Sequence, residues 1–384
     1  MKILYVGRVP SWHKSAYGGE EHMEQIAVGM ANKKEYDSVL FVNAAFDGLI
    51  SDVQFKKLPY CYCPITHFIL YPKPKELREA IKDFKPDIIH HFARFGYSTE
   101  RLREKGVIGN IPTVNLAVAS RERQDNAAIL QLLSRGRLHS VLSLLLDRYT
   151  IKHSDIVVTP SEVGKRILLN AFENEKDKIR VIPRGINLDI FSPGDWANVE
   201  KGLVLCVGRL DAKKGLDYII DAMCGVFNHV ENARLIIAGD GPDKERLELK
   251  VSNWGVDNKI TFLGKVPHDA IASEYKRCNV ALFHSEYESF GASVAEAMAS
   301  ARPVVTANKG GVRDIVIHGE NGYLVPFGHI SGIEKAVISL LDDDIHAQTL
   351  GLKGRHRIEE LFGLDSEIER FEKLYLEMIE DKDA

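Results

Sequence analysis

Two carboxylates eight residues apart, Glu288 and Glu296 in EYESFGASVAEAMASARPVV, stand where surface decoration does not explain them. Glu288 directly precedes Ser289-Phe290-Gly291 in a polar segment after the apolar run NVALF. A helix starting near Gly291 puts Glu296 in its second turn, among Val294, Ala295, Ala297, Met298 and Ala299. A carboxylate in such company is costly unless something hydrogen-bonds it. Two cations raise a related question. Arg209 and Lys214, in GRLDAKKGLDYIIDAM, flank a short loop entering a helix, where together they can grip a diphosphate from one side. Ordinary surface charge is the plainer alternative, and no Walker pattern exists here, since the order is Lys-Lys-Gly with no Ser or Thr following.

Three glycine-bearing loops extend the set. Gly18-Gly19, in SAYGGEEHMEQIAVGMA, lies just before a helical pattern of Met23, Ile26, Ala27 and Met30. Unhindered amides at a helix N-terminus can cradle a phosphate, although a plain turn fits the same residues. Gly239 and Gly241, in LIIAGDGPDKERL, resemble the start of a dinucleotide fingerprint, but Lys244 takes the place of its third glycine, which argues against a nicotinamide cofactor. FLGKVP follows the next strand pattern, and its backbone at Lys265 and Val266 is placed to border a nucleotide base.

The elements that must position these loops alternate along the whole chain. Short β-branched runs are followed by amphipathic segments, the pattern of βα units building parallel sheets. KILYVG, SVLFVN, DIIHH, TVNLAV, DIVVTP and IRVIP are the strands expected in the first half, and LVLCVG, ARLIIAG, KITFLG, NVALFHS and RPVVTA those in the second. ILYVGRVP and VLCVGRLD both run four apolar residues into Gly-Arg, so each half starts its own sheet. The irregular stretch PRGINLDIFSPGDWANVEKG reads as the linker. The tail carries Ile368, Phe371, Leu374, Tyr375 and Met378 at helical spacing. The expected organisation is therefore a domain over 1–190, a second over 191–365 and a closing helix over 366–384. Two doubly wound α/β sheets facing a cleft place ligands at the carboxyl ends of their strands, which is where every loop above falls.

Composition bounds the class. At 384 residues, 45% hydrophobic and 27% charged, the chain reads as a soluble globular protein of two domains. MKILYVGRVP suits a first strand better than a secretory leader, no apolar run approaches a membrane span, and five cysteines without a recurring spacing point to reduced thiols in the cytoplasm. Cys61-Tyr62-Cys63 lacks the second pair a metal site needs. Charge is uneven, with 28 Lys and Arg against 22 Asp and Glu in residues 1–190 and 22 against 32 thereafter. Arg121, Arg123, Arg135, Arg137 and Arg148 gather beside VLSLLL, either as a surface for an anionic or lipid-linked acceptor with peripheral membrane contact, or as a solvated helix face. No feature points to nucleic acid.

GRLDAKKG, AGDGP, FLGKVP, ESFGASVAEAMASARPVV, KGGVRDIV and ENGYLV together resemble the successive signatures of the retaining glycosyltransferases of family 4, of GT-B fold, and the resemblance covers essentially the whole chain. It implies that Arg209 and Lys214 hold the diphosphate of a nucleotide sugar and stabilise its departing charge. It further implies that Glu296 accepts hydrogen bonds from the ribose, that Glu288 binds hydroxyls of the donor sugar, and that the amides of Phe290, Gly291 and Ala292 face sugar and phosphates. The implied reaction moves a hexose from a UDP- or GDP-sugar to a hydroxyl acceptor with retention, by same-face attack without a protein nucleophile, cofactor or metal. Closure is expected to bring Gly18 and Gly19 over the diphosphate. Three departures are visible. IPTVNLAVASRER has no histidine where many relatives carry one, DIIHHF has Phe92 in place of a second histidine and leaves His90 a weak ligand candidate, and Asp314 replaces the usual glutamate. A nucleotide-sugar 2-epimerase of similar architecture and a non-catalytic sugar-nucleotide-binding subunit are the rival readings. Asp342-Asp343-Asp344, in a polar break between helical patterns, is not expected to bind metal.

Overall fold

The computed structural model describes every residue except 8–17, 34, 37, 44–47, 51–52, 63–68, 118–137 and 384. The chain separates into two compact units, Met1–Pro183 with Asp365–Ala384, and Arg184–Leu364.

The first unit is built on an eight-stranded sheet. Its strands are β1 (Lys2–Val6), β2 (Ser38–Asn43), β3 (Gly48–Ile50) and β4 (Val53–Lys57), then β7 (Ile88–Phe92), β8 (Thr113–Leu116), β9 (Ile156–Thr159) and β10 (Ile179–Val181), in the order β10-β9-β8-β7-β1-β2-β4-β3. Every pairing is parallel except β3 with β4. A separate antiparallel pair is formed by β5 (Tyr60–Tyr62) and β6 (Ile69–Pro72). Strands covered on both faces read as continuous apolar runs, and Ile3, Leu4, Tyr5 and Val6 are all fully buried.

The terminal helix Leu364–Asp383 belongs to this unit from Asp365 onward, and its predicted apolar face is the buried one, through Ile368, Phe371, Leu374, Tyr375 and Met378. It lies against the Gly18–Ala31 helix so closely that a Cβ on Gly29 would sit 2.5 Å from Ile368 Cδ1. A buried pair, His22 Nε2 to Glu367 Oε1 at 2.5 Å, ties the same two helices.

The second unit has six parallel strands, β11 (Leu203–Val207), β12 (Arg234–Ala238), β13 (Ile260–Gly264), β14 (Val280–Leu282), β15 (Val304–Ala307) and β16 (Tyr323–Val325), ordered β13-β12-β11-β14-β15-β16. Helix Leu216–His229 covers one face through Leu216, Ile219, Ile220, Met223 and Val226, and Ala292–Ala299 packs on the other through Val294, Ala295, Ala297 and Met298. Strand order reverses between β11 and β14, and in doubly wound sheets the crevice at that reversal, beyond the carboxyl ends, is where ligands bind. The Arg209–Lys214 loop follows β11 and the Glu288 loop follows β14.

Candidate functional site

Three consecutive strand-end loops of the second unit are stitched together around Glu288. The loop after β11 turns through a short 3-10 segment, Ala212–Lys214, capped by Asp211, whose side chain accepts the Lys213 N–H at 3.1 Å. The Lys213 carbonyl in turn accepts the Glu286 N–H at 2.7 Å, joining this loop to the one after β14. The loop after β15 joins them when Gly311 donates its N–H to the Glu288 carbonyl at 2.7 Å. Lys214 Nζ then reaches Glu288 Oε1 at 2.6 Å. Burial works against the Lys214 charge, but Glu288 and Asp211 outweigh it and hold the ammonium above the ordinary lysine range. Arg209 is half exposed, with its Nε 3.6 Å from Asp211 Oδ2. Tyr287 is pushed up to about 12, by burial first and then by Glu288 and Asp314, so it stays a neutral phenol beside them.

The predicted helix start is where the structure has it. Gly291, at φ 102°, precedes Ala292–Ala299, whose first turn has no side-chain cap, leaving backbone N–H groups for another acceptor. The Phe290 side chain is buried against Phe362, so only its backbone can face a ligand. Glu296 lies in the second turn and is 6% exposed, and its Oε1 is 3.1 Å from His268 Nε2. His268 opens the helix His268–Arg277, just beyond the exposed Lys265 and the half-buried Val266. Gly239 has a packing reason of its own. With φ 152°, a Cβ there would lie 1.8 Å from the Gly208 carbonyl oxygen, so only glycine lets the loops after β12 and β11 nest.

Two organising histidines, His268 and His284, carry no recognisable pattern in the sequence. His284 follows β14, is 1% exposed, stacks on Phe327 and accepts the Gly328 N–H through Nε2 at 2.8 Å. Burial lowers its pKa to about 4. Because the unfolded imidazole titrates near 6.5, the unfolded chain binds the extra proton in between. This stability is full above about pH 6.5 and is lost as pH falls toward 4. Thermal melts between about pH 7 and about pH 4.5 should therefore show a smaller loss for His284→Gln, which keeps an acceptor that cannot charge. Parallel losses in variant and parent would refute this.

In the first unit, Gly18 and Gly19 open the helix Gly18–Ala31, as expected. His90 is corrected. It is fully buried, with Nδ1 2.6 Å from the Tyr375 hydroxyl and its ring against Tyr5 and Phe371, so no ligand reaches it. Desolvation, with His91 and His22 nearby, keeps it neutral. Tyr375 and Phe371 come from the terminal helix, far along the chain, which is why the packing of His90 was invisible locally. Arg121, Arg123, Arg135, Arg137 and Cys63 lie outside the described residues. Arg148 sits over the Phe172 ring at 5.6 Å. Among the described residues, no group of three or more His, Cys, Asp or Glu is arranged to hold a metal, and no helix is long and apolar enough to cross a membrane.

Comparison with known proteins bears on this arrangement. Residues 17–190 match the family model "Glycosyltransferase Family 4" and residues 193–357 match "Glycosyl transferases group 1". An uncharacterised glycosyltransferase of Methanocaldococcus jannaschii is 36% identical over 181 residues, covering 44% of this chain and 46% of that one. The matches span about half the length of such curated relatives. Sucrose-phosphate synthase of Thermosynechococcus elongatus superposes with a TM-score of 0.81 at 22% identity over 99% of both chains. Anabaena HepE, solved in complex with UDP-glucose, superposes with a TM-score of 0.76 at 17% identity over 97% of this chain and 99% of that one. With both halves matched by these models and the fold shared throughout, the chain belongs to the group 1 glycosyltransferases and has the GT-B fold.

Proposed function

We propose that this protein transfers a hexose from a UDP- or GDP-sugar to a hydroxyl acceptor with retention at the anomeric carbon. The observation that carries the reading is the convergence, at the strand-order reversal, of Lys214, Glu288 and the uncapped start of Ala292–Ala299. A cation and a helix N-terminus suit a diphosphate, while a carboxylate already ordered beside them suits sugar hydroxyls. HepE, of the same fold, has been solved with a nucleotide sugar. In the proposed reaction the acceptor oxygen attacks the anomeric carbon from the face the diphosphate leaves. The carbon–oxygen bond to phosphate breaks, and the departing phosphate oxygen keeps the electron pair and takes the acceptor proton. Arg209 and Lys214 offset the charge that develops there, Glu288 fixes the sugar, and Glu296 holds the ribose. Gly239, Lys265, Val266, Phe290, Gly291 and Ala292 contribute backbone or contact surface to the donor. The acceptor is anionic or lipid-linked and is met by the basic stretch 1–190, with 28 Lys and Arg against 22 Asp and Glu, whose helix Leu138–His153 leaves Leu138 and Leu145 nearly half exposed.

Incubation with a panel of UDP- and GDP-sugars, with and without acceptors and anionic vesicles, tests this by nucleotide release. Anomeric proton coupling in fresh product reads the stereochemistry. Binding without release would favour a non-catalytic subunit, and an isomerised donor would favour an epimerase.

The reaction is also proposed to need no divalent ion, because fixed cations stand where the diphosphate charge grows. The Asp342-Asp343-Asp344 run is engaged elsewhere: Asp342 lies 3.6 Å from His229, Asp343 caps the Asp344–Leu361 helix through the His346 N–H, and Asp344 pairs with Lys201. Turnover should persist in excess chelator. Complete loss, restored by magnesium or manganese, would refute it.

A further inference from the structure

We infer that His268 is a positioning residue that sets the preference of this site for ribonucleotides over deoxyribonucleotides, acting through Glu296. The inference rests on the proposed role of Glu296 toward the ribose. Glu296 is a carboxylate in the second turn of a helix whose other buried positions are Val294, Ala295, Ala297, Met298 and Ala299, and it is 6% exposed. Left without a donor in that setting its oxygens would be under-satisfied and the side chain free to rotate away, because burying a lone polar group is costly. His268 supplies the donor. Its Nε2 lies 3.1 Å from Oε1, and since an ionised carboxylate only accepts, the imidazole must carry its proton on Nε2. The ring cannot swing freely, because Phe191, itself 1% exposed, packs edge-on against it at 5.0 Å between centroids.

One carboxylate oxygen is thereby held while the other stays available, and a carboxylate has acceptor capacity for both partners. A ribose presents two neighbouring hydroxyl donors, whereas a dideoxyribose presents none. Discrimination of this kind is strong when the accepting group is already oriented and would be left under-satisfied by the wrong ligand. His268 thus acts before the ligand arrives, keeping the carboxylate aimed, and it contributes to donor binding more than to the chemical step.

The test is calorimetric titration of parent, His268→Ala, His268→Gln and Glu296→Ala with UDP and with 2′,3′-dideoxy-UDP, the corresponding guanosine pair being used if the donor panel selects GDP. The parent should prefer the ribonucleotide by roughly tenfold or more. His268→Ala should weaken UDP by roughly fivefold to tenfold and leave the dideoxy compound unchanged, so that the preference shrinks. His268→Gln, which returns an N–H donor near Nε2, should restore most of it, and kcat at saturating donor should change little in either variant. Equal weakening of both nucleotides, or of neither, in a folded His268→Ala overturns the inference. Glu296→Ala separates the two levels of the argument. If it abolishes the preference while His268→Ala preserves it, the ribose reading stands and the role of His268 falls. If Glu296→Ala weakens both nucleotides alike, the ribose reading itself falls, and the inference with it.

Discussion

Glu288→Ala lowers kcat by roughly a hundredfold or more while free nucleoside diphosphate binds at least as well as to the parent. The first half of this expected result follows from the proposed sugar contact of Glu288, and the second from its 2.6 Å contact with Lys214. The carboxylate is proposed to fix the sugar as it becomes cationic, an interaction stronger in the transition state than in the ground state, so its loss falls on kcat. Removing it also releases the Lys214 ammonium from its partner, so a diphosphate meets a less encumbered cation. Glu288→Gln keeps an acceptor without the charge and should fall between parent and alanine variant. Glu296→Ala should differ in kind, raising the donor KM with a smaller change in kcat, because the ribose changes little during reaction. Steady-state donor kinetics with calorimetric titration of the diphosphate decide the matter. A near-normal kcat in Glu288→Ala, or a loss of diphosphate binding as severe as that of Arg209→Ala, would remove Glu288 from the proposed role.

Loss of the cations should cost comparably in kcat/KM, yet Lys214 and Arg209 should part company in stability. Lys214→Ala strips the partner from a carboxylate that is itself only partly exposed, so the variant should melt measurably lower as well as lose roughly a hundredfold to a thousandfold in donor kcat/KM. Lys214→Arg should not rescue fully, since a planar fork cannot replace a compact ammonium bonded at 2.6 Å. Arg209 is about half exposed and its approach to Asp211 is loose, so Arg209→Ala should leave the melting temperature nearly unchanged while activity drops. Differential scanning calorimetry beside donor kinetics reads both. If both variants keep donor kcat/KM within a few fold of the parent, the diphosphate is held elsewhere.

How much of this was legible beforehand follows from the range of the forces involved. The strands β1, β2, β7 to β10 and β11 to β15 were readable because each is mostly an apolar or β-branched run, a property local to a few residues and sharpest where a strand such as β1 is covered on both faces. Strands β3 to β6 and β16 were not. VQFKK mixes polar residues into the run, and the three-residue strands GLI, YCY and YLV are too short to show a period, so their neighbours alone make them strands. The helix beginning after Gly291, the glycine start of Gly18–Ala31 and the apolar face of the terminal helix were likewise written in local spacing.

What a side chain meets across the fold was decided only by the tertiary structure. Lys214 and Glu288 are 74 positions apart and become partners because β11 and β14 are neighbours at the order reversal. His268 and Glu296 meet because two helices of the same unit converge, and neither sequence stretch names the other. His90 was a ligand candidate on its local sequence, and Tyr375 of the terminal helix, 285 positions later, is what packs against it. The sequence by itself determined the apolar strands and the periodic helices, that each half starts its own large sheet, and which loops carry charge at their ends, because backbone hydrogen bonding and apolar periodicity act over a few residues. Only the tertiary structure decided which charges pair and which polar groups are sealed in the core, because those outcomes depend on desolvation, and desolvation depends on neighbours far away in the chain.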